Sequence, residues 1–149
     1  MTQSEAMLAA KEALIALLQS DADLVGVQIA WSHPAGNMQR RAVIVGNSRR
    51  MRQEPGPPLG RGTREAYWRL EVAANVLHKG KAEDAAAQAV ELAAAVERVV
   101  AANTDLGIPA TILYAHVTDA DLVETIRDGA REAEIPLDVT VRARLRTGA

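Results

Sequence analysis

Three histidines, His33, His78 and His116, are the side chains best suited to proton transfer or metal ligation. They fall in a turn, at a strand end and on the expected inner face of a hairpin, and none has the spacing of a zinc site. The chain has no cysteine, which leaves serine, threonine, lysine and carboxylates as the common nucleophiles. Ser4, Ser20, Ser32 and Ser48 lie in no nucleophile-elbow context. Asp119-x-Asp121, with Glu124 nearby, offers carboxylates to a hard cation, but Val123 stands where a third ligand is needed and no glycine makes the sharp turn. Gly56, Gly60 and Gly62 lack the Gly-Lys-Ser/Thr that completes a phosphate loop, and Gly80-Lys81 is followed by Ala82. These residues point to no catalytic group, metal or cofactor.

Arginine carries the stronger signal. Residues 49–64 read RRMRQEPGPPLGRGTR, with Arg49, Arg50, Arg52, Arg61 and Arg64 among three prolines and three glycines. Such a segment neither packs a core nor holds a regular helix, so it is expected to protrude as a basic arm. Arginine pairs carboxylates bidentately and is weakly hydrated, which favours an acidic protein surface as its partner. Stacking aromatics, which a single-strand nucleic-acid platform needs, are missing from the arm. A second row, Arg142, Arg144 and Arg146, alternates along the last strand, and Asp119, Asp121, Glu132 and Glu134 fall on the same outward side. A protomer with both signs of charge could close head to tail into a ring.

With 149 residues and 48% hydrophobic content, one domain over residues 1–149 is expected. There is no phenylalanine, and two tryptophans and two tyrosines are the whole aromatic complement, so Val, Leu, Ile and Ala must fill the interior. A formal charge of −2 lacks the basic excess of a dedicated nucleic-acid binder. Charges within the first twenty residues argue against a signal peptide or a membrane span.

Thr2 and Glu5 have capping-box spacing ahead of an amphipathic helix over 4–19. Period-two patterning predicts strands near 25–31, at Arg41–Val45, and from Ala66 to Val76, where Ala66, Trp68, Leu70, Val72, Ala74 and Val76 share one side. Residues 81–102 form an alanine-rich helix with Ala85, Ala89, Leu92, Val96 and Val99 as its stripe. Thr111–Arg146 reads as a hairpin about Asp128-Gly129. Setting Arg127 opposite Ala130 places Ile112, Tyr114, His116, Ala120 and Leu122 on the inner face. It also opposes Asp119 to Asp138 and puts Pro136 inside a strand, strains that a bulge or an edge near Pro136 would relieve. A short helix over 120–126 is the alternative. The expected fold is α+β, in order α-β-β-β-α-β-β: an antiparallel or mixed sheet of about five strands with two main helices packed on one face and a long arm between the second and third strands.

The opening MLAAKEALIALLQSDADL, the strand WRLEVAANV before the alanine-rich helix, and the closing DVTVRARL together resemble the tail terminator (tail completion) proteins of long-tailed bacteriophages. The resemblance implies a non-enzymatic virion protein, assembled in the host cytoplasm, that forms a hexameric ring on the tail tube and docks the head connector. Its partners would be copies of itself, the tube protein and connector proteins, with no membrane and with DNA at most passing through the lumen. A head-tail connector or stopper is the nearest alternative, and a small nucleic-acid-binding α+β module or a hydrolase is a different class.

Overall fold

The computed structural model describes residues 1–33, 38–50 and 63–146. Helix α1 (Gln3–Ser20) leads through a 3-10 turn (Ala22–Leu24) to strands β1 (Gln28–Ala30), β2 (Arg41–Arg50) and β3 (Thr63–His78). Helix α2 (Ala82–Ala102) and strands β4 (Ile112–Ala120), β5 (Val123–Arg127) and β6 (Ala130–Arg146) complete the order. The strands form one mixed sheet, β1-β2-β3-β6-β4, with β5 also paired to β6. Among the described strands only the β1–β2 pair is parallel.

The fold is α+β, as expected, with six strands because the hairpin's first arm divides into β4 and β5. Residues 123–127 are strand, which excludes the helical alternative.

Local chemistry accounts for the helix ends. The Thr2 N–H donates to Glu5 Oε2 at 2.6 Å and the Glu5 N–H to the Thr2 hydroxyl at 3.2 Å, closing the capping box. Hydrogen bonding from Thr2, its backbone N–H first and then its side chain, holds the Glu5 carboxyl below its usual range. Asp21 ends α1 and caps the 3-10 turn through the Asp23 N–H.

Both helices bury their apolar stripes in one cluster with the same sheet face. From α1 come Ala6, Ala10, Leu14 and Leu18, and from α2 the whole predicted stripe with Ala93, Ala95 and Val100. The small alanines let α2 lie close to the sheet. Strand β3 is central, between β2 and β6, and its six alternating residues from Ala66 to Val76 are all buried.

Asp128 and Gly129 both have positive φ, +52° and +76°, as a type I′ turn requires. The expected register holds from Arg127↔Ala130 to Asp119↔Asp138, so the like-charge pair is real. It then slips by one residue between Val117 and Asp119, and again between Ile112 and Tyr114. These two bulges reverse the alternation of the residues between them. Ala115 is therefore buried, whereas Tyr114 and His116 leave the inner face, and Tyr114 is 47% exposed. That corrects their expected inward placement.

Pro136 is accommodated by a gap. Its carbonyl accepts the Asp121 N–H at 3.2 Å, so its donor-less nitrogen faces the same edge, where the ladder is interrupted between β4 and β5. A third irregularity sets Gly46 and Asn47 against Glu71, and a Cβ on Gly46 would sit 3.3 Å from the Glu71 carbonyl oxygen.

Trp68 is fully buried, and its Nε1–H has no acceptor among the described residues. Trp68→Ala should cost about 3–5 kcal/mol through the cavity it leaves. Trp68→Phe should cost much less, because it also removes an unpaired donor. Urea denaturation midpoints measure both.

Candidate functional site

The sheet face turned away from the helices carries most of the charged residues read from the sequence. Strand alternation sets Glu65, Tyr67, Arg69, Glu71 and Asn75 of β3 there, beside Glu132, Glu134, Asp138, Thr140, Arg142 and Arg144 of β6.

At one end, Arg142 grips Glu65 with a fork: Nε to Oε2 at 2.8 Å and Nη2 to Oε1 at 2.6 Å. The Tyr67 hydroxyl donates to Glu65 Oε2 at 2.7 Å, and the Arg142 guanidinium lies 5.5 Å from the Tyr67 ring centroid. The Tyr67 hydroxyl and then Arg142 hold the Glu65 carboxyl below its usual range against the opposing effect of burial. The same hydrogen bond raises the Tyr67 phenol, and the hydrogen bonds from Arg142 to Glu65 strengthen the hold of Arg142 on its own proton. Across β4 the bulges bring Tyr114 and His116 to this face, opposite Arg142 and Thr140, with ring centroids 5.0 Å apart. The His116 Nδ1 is enclosed without a partner among the described residues.

Ion pairs continue along the face. Arg69 meets Asp138 at 3.4 Å and Arg49 meets Glu71 at 2.6 Å. At the far end Asn75, 1% exposed, donates to Glu132 and Glu134 at 3.2 and 3.5 Å. Arg127 Nε lies 2.8 Å from Glu132 but is not aligned as a hydrogen-bond donor, so this contact is one of charge alone. Three of the charges expected to face a neighbour, Glu132, Glu134 and Arg142, are thus engaged within the chain. Asp119, Asp121 and Arg144 have no ion pair among the described residues.

The ends of the segment expected to protrude, 49–64, are strand. Strand β2 runs through Arg50 and β3 begins at Thr63, so Arg49, Arg50 and Arg64 belong to strands, because antiparallel pairing extends past the apolar core. Arg64 is exposed opposite Leu145. Arg52 and Arg61 lie outside the described residues, as do the side chains of Arg50 and Arg146. The backbone of Arg146 pairs with Thr63 at the end of β6.

The candidate chemical groups remain separate. His78 Nδ1 accepts the Gly80 N–H at 2.9 Å, and the Ser20 hydroxyl donates to the Leu17 carbonyl at 3.0 Å. Among the described residues no group of three His, Asp or Glu side chains is placed to hold a metal ion. No described helix is long and apolar enough to cross a membrane.

Sequence reasoning missed Tyr114 and His116 as outer-face residues. The available signal was the Asp119–Asp138 opposition, which calls for an irregularity nearby without fixing where it falls.

No family model and no curated protein matches this chain. Among solved structures it is similar to a chain of the virion of a native gene transfer agent particle, with a TM-score of 0.65 and 18% identity over 90% of this chain and 93% of that one. The likeness is one of fold.

Glu65 makes stability depend on pH. Its carboxyl is depressed in the folded state, so its contribution is complete above the unfolded value of about 4.3 and fades as pH falls through the lower folded value. Glu65→Gln should destabilise the protein at neutral pH, and the difference from the parent should shrink on acidification. Urea titrations at several pH values would reveal it.

Proposed function

We propose that this chain is a structural protein of a phage-like particle, a tail terminator that forms a hexameric ring on the end of the tail tube and presents a surface to the head connector. The observation that carries the reading is the end-to-end fold match to a chain of a gene transfer agent virion. The resemblance of the opening helix, the WRLEVAANV strand and the closing strand to tail terminators narrows it to the tail end. In this reading the protein is a scaffold and not an enzyme. The basic segment between β2 and β3 reaches the tube or connector, and DNA does no more than pass through the lumen.

A connector or stopper of the neck, also a small ring-forming protein, is the nearest alternative, and binding to the tube end separates it from a terminator. Nucleic-acid binding has one observation in its favour, the outward Tyr67, Tyr114 and His116. Against it, Arg49, Arg69 and Arg142 are each paired to a carboxylate of the chain. Such pairing leaves these three with little charge for phosphates.

Replacing Arg49, Arg50, Arg52, Arg61 and Arg64 with serine should abolish capping of polymerising tail-tube protein while circular dichroism and thermal unfolding stay close to the parent's. Capping is read from tube length by electron microscopy. Unchanged capping would refute the role of the segment, and a parent protein that never limits tube length would refute the terminator reading.

A further inference from the structure

Among the described residues the sheet has two open edges, and they are chemically opposite. At one, β5 has a neighbour on a single side, whereas β4 is partly closed by the Thr104 carbonyl, which takes the Ala115 N–H at 2.6 Å. Val123 is 45% and Ile126 66% exposed on β5, and a cavity of about 260 Å³ separates the strand from the first turn of α2. Asp119, Asp121, Glu124 and Asp128 flank this edge, none in an ion pair among the described residues.

At the other edge, β1 ends at an exposed Trp31 with the Lys11 ammonium 4.3 Å from its ring centroid. Arg40 and Arg41 lie at the start of the adjoining β2. No described carboxylate pairs with Lys11, Arg40 or Arg41, and the Arg41 Nε is enclosed without an acceptor.

Soluble proteins normally blunt or cover an apolar strand edge, since its unpaired backbone groups template association. Here one edge is apolar with free carboxylates and the other aromatic with free cations. We propose that β5 of one copy pairs edge to edge with β1 of a second copy, with Asp121 and Glu124 meeting Lys11 and Arg40. The contact is heterologous, so each subunit keeps one edge of each kind and the pairing repeats around a ring. This deepens the ring reading above and rests on it for closure.

Charge reversal tests the pairing. Lys11→Glu/Arg40→Glu makes both edges acidic, and Asp121→Lys/Glu124→Lys makes both basic. Each variant alone should raise the dissociation constant for self-association at least about a hundredfold in sedimentation equilibrium, because like charges then face each other. An equimolar mixture should reassemble, since every contact between unlike variants joins opposite charges, and a misfolded variant could not be rescued this way. Because the chain has no cysteine, Trp31→Cys/Ile126→Cys, both on the helix side of the sheet, should also give a ladder of oligomers with a short bismaleimide, even where association is weak.

Reversed variants that assemble as tightly as the parent, a mixture that fails to reassemble, or the absence of a ladder would overturn the edge pairing. Assembly that persists through another surface leaves the terminator reading standing. Edge-paired oligomers that do not cap tubes would instead sink that reading alone.

Discussion

The antiparallel pairing of β3 with β6 is the constraint on which the rest of the molecule hangs. It runs from Thr63↔Arg146 to His78↔Arg131 without a register shift. Because side chains alternate with period two, this one register puts Trp68, Leu70 and Val72 on the same face as Leu137, Val139 and Val141. A slip of one residue would turn the apolar set of one strand to solvent. The irregularities fall instead on the flanking strands, at Gly46–Asn47 in β2 and at two points in β4, where the ladder can bend without breaking the central pair.

The same register sorts the charges. Glu65 meets Arg142, and Arg69 meets Asp138, across strands whose pairing partners are about seventy residues apart in sequence. Exposed ion pairs of this kind are each worth only about 0–1 kcal/mol. Their main effect is to leave the outer face with few free charges, while the sheet edges keep theirs. Asp119, Asp121, Glu124 and Asp128 at one edge, and Lys11 and Arg40 at the other, have no ion-pair partner among the described residues. For a protein proposed to work by matching surfaces, the free charge sits where a strand could be added.

Pro136 links the core to that edge. A central-strand proline cannot donate to a neighbour, and here its nitrogen faces the interruption between β4 and β5. The interruption sets β5 apart from β4 and places Val123 and Ile126 at the sheet margin, beyond the cover of α2. One residue that removes a hydrogen bond thus accompanies the feature that makes the margin distinctive.

Much of this architecture was legible in local patterns. The Thr2–Glu5 capping box, the alternation from Ala66 to Val76, the stripe of α2 and the Asp128-Gly129 turn each act over a few residues, and each reappears in the fold. Neither the extension of β2 to Arg50 nor the start of β3 at Thr63 could be read, since no apolar periodicity marks a strand that outruns its core. The positions of the bulges beside Tyr114 and Thr118 were equally hidden. The sequence alone determined which residues could be buried and where the chain turns, because those preferences are local. Only the tertiary structure decided which way Tyr114 and His116 face and which carboxylates remain unpaired, because both depend on strands brought together from distant parts of the chain.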